Sequence, residues 1–434
     1  MYLLRIASAV LLLAATAAVA PRVGDAASCA GRGWVGAWTA PPSHAGKSLF
    51  TSDVAAAFSD QTLRLNLTPL RSGRGARVRL SNRFGTQAVT FDRVYLGKQD
   101  SGARLASGSN RPVRFARRAS VTVPAGSEVL SDRVRIAVHA FEHLAVTIYI
   151  AGSTGPATQH AQAHQTSFMT PSGVGDRSAQ ESDELFSLST TSLPFLTEIE
   201  TRAPRRDGVV VAVGDSITDG DQRSRTLEDL AVDLDARYPD FLARRLNERR
   251  SRVSVINAGI GGNRLLGEGQ GAFTFGGPSL LARLDRDVIR ERRVTDVILL
   301  EGINDLGAGS ASADDVIRGL EDVVAQLHAV RTGARRRINV LVGTITPSGG
   351  TILANYASAE TNMRRQQIND YIRSSGIGDG FVDFDAALRD TSEPSRLAPE
   401  YDGGDALHPS SAGYRRMAEE VDLSALKGPE CAGK

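Results

Sequence analysis

The run GVVVAVGDSITDG, Gly208 to Gly220, decides how this chain is read. Its first six residues are apolar without alternation, as in a parallel strand covered on both faces. They lead directly into Gly-Asp-Ser, which sets Ser216 in the turn leaving the strand. In open α/β sheets, ligands bind beyond the carboxyl ends of the strands. A serine there can act as a nucleophile only if the chain also supplies a base, a carboxylate behind that base, and donors for an oxyanion. The bland alternative is that Ser216 caps the helix that follows, since serine is a preferred N-cap.

Downstream, the same type of run recurs at SVINAG (Ser254 to Gly259), DVILLEG (Asp296 to Gly302), INVLVGTITP (Ile338 to Pro347) and GFVDFD (Gly380 to Asp385). Helical patterns separate them: PDFLARRLNERR from Pro239, SLLARLDRDVIRER from Ser279, SADDVIRGLEDVVAQLHAVR from Ser312, and a stretch from about Asn355 to Ser374. Pro239 suits the first position of a helix. Alternating strand and helix predict a flavodoxin-like, doubly wound parallel sheet over residues 206–430.

Each predicted strand end can then be searched for what Ser216 needs. The second is followed by NAGIGGNR (Asn257 to Arg264), a glycine-rich turn whose backbone N–H groups can approach a ligand closely. The third is followed by EGIND (Glu301 to Asp305), where Asn304 offers a side-chain N–H₂. Near the C-terminus stands GDALHPS (Gly404 to Ser410), with Asp405 and His408 three residues apart, close enough for the carboxylate to turn back to the ring.

These four blocks, in this order, resemble the GDSL or SGNH hydrolase superfamily. The likeness spans about residues 208 to 425. WVGAWTA (Trp34 to Ala40) and VRLSNRFGT (Val78 to Thr86) are similar to the β-domain that precedes the catalytic domain in secreted two-domain bacterial members. The resemblance implies Ser216 as nucleophile and Asp405 as the residue orienting His408, which acts as base and then acid. It implies an oxyanion hole built from the backbone N–H groups of Ser216 and Gly262 and the amide of Asn304. It implies ester hydrolysis through an acyl-enzyme without metal or organic cofactor, with small acyl groups such as acetyl on carbohydrate as the favoured substrates. A lipid, lysophospholipid or aryl esterase is the rival, and an O-acyltransferase using the same triad a further one. Two features depart from the family pattern: Ile217 stands where leucine is usual, and a long insert, Asp221 to Arg237, precedes Tyr238, where tryptophan is usual.

Upstream, residues 30–205 alternate apolar and polar positions at TLRLNL (Thr62 to Leu67), ARVRLSN (Ala76 to Asn82), SVTVPAG (Ser120 to Gly126), RVRIAVHA (Arg133 to Ala140) and LAVTIYIAG (Leu144 to Gly152). Period two with turn residues between predicts half-buried antiparallel strands, hence an all-β sandwich or jelly roll. The charged, proline-containing TRAPRRDG (Thr201 to Gly208) marks the expected boundary.

Residues 1–27 read as an export signal, with Arg5 before the apolar run IASAVLLLAATAAVA and cleavage near Ala20 or Ala26 to Ala27; a retained anchor is the alternative. The run is too short for a stable membrane span. A secreted or periplasmic location is therefore expected. The two cysteines, Cys29 and Cys431, would tie the chain ends together in an oxidising compartment; a lipid-modified Cys29 or two free thiols are the rivals.

The 434 residues are 41% hydrophobic and 23% charged with a formal net charge of +2, the balance of a soluble globular chain and one that disfavours nucleic acid as a partner. The pairs His139/His143 and His160/His164 have a spacing that ligates zinc on a helix. On the strands expected here, positions i and i+4 stand ~13 Å apart, so surface or structural roles are preferred over a metal site. GEGQGAFTFGG (Gly267 to Gly277) lacks the ending of a phosphate loop and reads as a loop bordering the pocket or an ordinary connection.

Overall fold

The computed structural model describes residues 31–45, 57–205, 207–224, 231–269, 271–332 and 336–428. The expected export segment and both cysteines lie outside the described residues.

The five apolar runs form one parallel sheet. Its strands are Gly208–Gly214, Val253–Gly259, Val294–Leu300, Asn339–Gly343 and Gly380–Val382. In space the second lies outside the first, followed by the third, fourth and fifth. That is the flavodoxin-like order, with its switch point at the strand that ends in Gly214. Every residue from Gly208 to Gly214 is buried, which explains a run of valines without polar alternation. The register places Gly214 opposite both Gly259 and Leu300, so three strands end at one level. The turns carrying Ser216, Gly262 and Asn304 therefore leave the sheet side by side.

Gly214 is required at that edge, because a Cβ there would lie 2.1 Å from the Leu300 carbonyl oxygen. The helices Tyr238–Glu248, Phe384–Leu388 and Ser411–Glu420 pack together, and Ala313–Ala329 packs with Ala359–Ser375. Right-handed crossovers assign these two groups to opposite faces of the sheet.

Residues 31–204 hold antiparallel sheets. One contains Arg32–Thr39, Leu196–Pro204, Gly73–Asn82 and Val134–Val138, with Ser127–Leu130 joined to it. The larger one runs through Ser167–Met169, Gln61–Leu67, Leu144–Ile150 and Arg93–Ser101. Leu63, Leu65, Val78, Leu80, Phe91, Val146, Ile148 and Phe195 fill the core between them.

One expectation changes here. Thr62 to Leu67 alternates as predicted, yet its polar face is not solvated. Thr62 and Arg64 are buried under the segment around residues 175–186, and Asn66 is buried with its amide donating to Gly102 O and Thr166 O. Arg64 donates to the carbonyls of Ala103, Gln180 and Ser182 and lies under the Phe186 ring at 3.9 Å. A covering chain from far along the sequence supplied what water would have.

Within Thr201 to Gly208, strand continues to Pro204 and resumes at Gly208. The two halves share more than a linker. Strand Arg32–Thr39 lies against Val253–Gly259, with Ser254 Oγ donating to Gly36 O at 2.9 Å and Thr39 Oγ1 to Asn257 O at 2.6 Å. Val35, Leu70 and Ala203 belong to the same apolar cluster as the parallel sheet.

Candidate active site

Ser216 opens the short helix Ser216–Asp219, but it is not the cap. Asp215 is, with its side chain accepting the Ile217 N–H at 2.9 Å. The Ser216 hydroxyl is thereby left for other work. Its Oγ lies 2.9 Å from His408 Nε2, across 192 residues of sequence. His408 Nδ1 lies 2.6 Å from Asp405 Oδ2. Because a carboxylate accepts, Nδ1 carries the hydrogen, and Nε2 faces the hydroxyl with a lone pair. Asp405 is itself fixed by its loop, its Oδ1 accepting from the backbone N–H groups of Leu407 and His408. Asp402 in turn accepts from Gly404 and Ala406, and the helix Ser411–Glu420 begins at the cap Ser410.

Charge follows this geometry. Burial works against the His408 cation, but the Asp405 carboxylate and, on the Nε2 side of the ring, Asp221 outweigh burial and raise the ring's pKa above its ordinary value. Burial raises the Asp405 carboxyl, but the His408 contact and the two backbone donors hold it below its ordinary range. Asp215 behaves oppositely. Burial without a cation partner, with Asp305 and Asp221 nearby, pushes it up to about 7, against the pull of the Ile217 N–H and of His408.

Gly262 sits at φ +72°, a conformation that favours glycine, and among the described residues its N–H has no protein acceptor. Asn304 Nδ2 donates to Asn263 O at 2.8 Å, which joins the third turn to the second. The amide of Asn304 is oriented by Tyr356, whose hydroxyl donates to Oδ1 at 2.8 Å. Below these turns lies Arg283, fully buried. It donates to Gly214 O, Ala258 O and Asn263 Oδ1, and so clamps two strand ends to the glycine turn. Asp305 holds the far side of that turn by accepting from Leu265 and Leu266. The glycine-rich stretch forms a tight helical turn at Gly271–Gly276 that packs beneath it: a Cβ on Gly276 would be 2.6 Å from Gly262 O.

Several neighbours of the serine were not singled out from the sequence. Asp221, in the insert after the serine turn, places Oδ2 3.9 Å from His408 Nε2. Burial would raise its carboxyl, but Arg223, His164 and His408 hold it far below the ordinary range. Arg223 grips the same oxygen through Nε at 3.1 Å and Nη2 at 3.0 Å. Tyr356 and Arg283 lie within helical patterns with no local motif to mark them.

The histidine pairs need a correction. Only Gln159–His160 of the second pair is strand, so the distance expected along one strand does not apply. His160 and His164 are buried and converge on the aspartates after the serine: His160 Nε2 lies 3.1 Å from Asp219 Oδ1, and His164 Nε2 lies 3.0 Å from Asp221 Oδ1. Among the described residues, no group of His, Cys, Asp and Glu is arranged to hold a metal ion. His143 instead pairs with Asp235, at 3.4 Å.

Residues 212–416 match the model of the GDSL-like Lipase/Acylhydrolase family. The parallel-sheet part of the chain is thus a GDSL-like acylhydrolase domain, which makes the protein a carboxylic ester hydrolase. No curated protein matches the sequence. Among solved structures, an aryl esterase of M. smegmatis aligns at 19% identity and a TM-score of 0.41, covering 50% of this chain and 99% of that one. Est24, a carbohydrate acetylesterase from Sinorhizobium meliloti, aligns at 16% and 0.40, covering 49% and 95%. A putative arylesterase from Agrobacterium tumefaciens aligns at 17% and 0.38, again covering 49% and 95%.

Proposed function

We propose that this protein is a secreted serine esterase that removes small acyl groups, acetyl foremost, from carbohydrate. The observation that carries the reading is the unbroken line from the Ser216 hydroxyl through both nitrogens of His408 to Asp405. Ser216 Oγ attacks the ester carbonyl while His408 Nε2 takes its proton. Asp405 stabilises the imidazolium so formed, and the Ser216 and Gly262 N–H groups with the Asn304 amide receive the oxyanion. His408 then returns the proton to the departing alcohol, leaving an acyl-enzyme. Water, deprotonated by His408, attacks that ester and releases the acid.

In this reading residues 1–27 direct export, residues 30–205 form an accessory domain beside a catalytic domain of residues 206–430, and Cys29 pairs with Cys431. The test is a panel of acetylated xylan, p-nitrophenyl esters of rising chain length, and lysophospholipid, run on the parent and on Ser216→Ala. Acetate release from xylan, a preference for the shortest aryl esters and an inactive Ser216→Ala are expected. A preference for lysophospholipid overturns the substrate assignment. Acetyl transfer to added glycan in place of release to water overturns hydrolysis, and an active Ser216→Ala overturns the nucleophile.

A further inference from the structure

The stretch HAQAH belongs to the antiparallel half of the chain, yet His160 and His164 are buried against the aspartates that follow Ser216, and Gln162 is buried against Gly261. His160 Nδ1 lies 2.9 Å from the carbonyl oxygen of Pro41, which can only accept, so Nδ1 carries a hydrogen. Its other nitrogen, Nε2, faces a carboxylate oxygen of Asp219 at 3.1 Å. Both nitrogens therefore face acceptors, an arrangement that suits the imidazolium and no neutral tautomer. Burial works against that cation and Arg237 opposes it from nearby, but Asp219 outweighs both and raises the ring's pKa.

The second oxygen of Asp219 accepts the N–H of Gly261 at 3.0 Å. Gly261 immediately precedes Gly262. Gln162 closes over the same residue: a Cβ on Gly261 would lie 2.1 Å from Gln162 Oε1. A turn of two glycines has wide conformational freedom, so something must fix it. Asp219 does so only while its own carboxylate is held in place.

We propose that His160 is a positioning residue for ester cleavage, a cation supplied by the antiparallel half that holds the Gly261–Gly262 turn through Asp219 and keeps the Gly262 N–H aimed at the oxyanion. This rests on the esterase reading above and extends it to a residue outside the acylhydrolase domain. A donor misplaced by about 1 Å is enough to cost about 10²-fold in rate.

The test uses the full chain and p-nitrophenyl acetate, with kcat, KM and melting temperature measured for His160→Gln, His160→Asn and His160→Ala. Glutamine offers an N–H near the place of Nε2, toward Asp219; asparagine offers one near Nδ1, toward Pro41. The expected result is kcat within about threefold of the parent for His160→Gln, and about 10- to 100-fold lower for the other two, with KM little changed. Activity retained in all three overturns the proposal, as does rescue by asparagine but not glutamine, or equal loss in all three. In the unmodified protein, ¹⁵N NMR of labelled histidine should show protons on both nitrogens of the His160 ring at pH 7; a neutral ring overturns the proposal whatever the variants do. Ser216→Ala, run alongside, separates the two questions: an inactive Ser216→Ala with a fully active His160→Ala leaves the esterase reading standing and removes only this one.

Discussion

Replacing Asp405 by asparagine tests the line of contacts at its most sensitive point. Both backbone donors to this side chain, the N–H groups of Leu407 and His408, converge on Oδ1, while Oδ2 faces the ring. In Asp405→Asn the amide oxygen must stay with the two N–H groups, which puts the NH₂ where Oδ2 was. That group donates to His408 Nδ1, so the ring proton moves to Nε2 and points at the Ser216 hydroxyl. The imidazole then has no lone pair to offer the serine. Side-chain volume and the loop's hydrogen bonds are kept, so the melting temperature should change little. A wrong tautomer of this kind costs on the order of 10⁴-fold in kcat, or about 5–6 kcal/mol of barrier. The parent's rate should fall as pH drops through the His408 pKa, which lies above its ordinary value, because the base works only when neutral. The variant should lose that limb, and its residual rate should climb with hydroxide. The assay is the pH profile of kcat/KM on p-nitrophenyl acetate between pH 5 and 10. A folded Asp405→Asn within tenfold of the parent, with the acid limb unmoved, would mean that the ring's orientation does not govern the reaction.

Asn304→Ala should lower kcat by about 10²- to 10³-fold with little change in KM, while Tyr356→Phe, which frees the amide but leaves its bond to Asn263, should cost only a few-fold; steady-state kinetics check both, and a larger loss in Tyr356→Phe than in Asn304→Ala contradicts the ordering. Asp215→Asn keeps the cap on Ile217 and removes a carboxyl whose folded pKa is raised to about 7 from an unfolded value near 4. The folded state binds that proton more tightly, so stability is lost as pH climbs through this window. The melting-temperature advantage of Asp215→Asn should therefore grow from pH 4 to pH 8, and an advantage independent of pH would contradict the shift.

The parallel sheet was legible because its strands are buried on both faces, and Val209 to Val213 can hardly be read otherwise. Asp405 and His408 were legible because their relation is local, three residues within one loop. What the sequence concealed depends on packing between distant segments. Arg64 alternates with leucines and reads as solvated, yet a loop more than a hundred residues away covers it. Arg283 reads as the polar face of an amphipathic helix, but it is buried because three acceptors at the strand ends need a donor. His160 was set aside on a strand geometry that does not hold beyond it, and its partner Asp219 lies 59 residues further on. In each case a buried polar group has partners that only tertiary contact supplies.

The charges around the serine explain why the antiparallel half must be present. Asp215, Asp219, Asp221, Glu301 and Asp305 all lie on the turns that leave this edge of the sheet and are all buried. Left ionised and unpaired, they would oppose an oxyanion forming among them. The structure resolves this in two ways. Burial raises the pKa values of Asp215, Glu301 and Asp305, with repulsion from neighbouring carboxylates adding to it at Asp215 and Glu301, which favours their neutral forms. Asp221 is held ionised by Arg223, and the Asp219 carboxylate is held in place by the ring of His160. Arg223 follows the serine turn in sequence, whereas His160 comes from the antiparallel half. Removing the antiparallel half would leave the Asp219 carboxylate without the ring N–H that fixes it, and with it the Gly261 N–H that it accepts. The seam between the two halves therefore helps to position the catalytic turn as well as forming a packing surface.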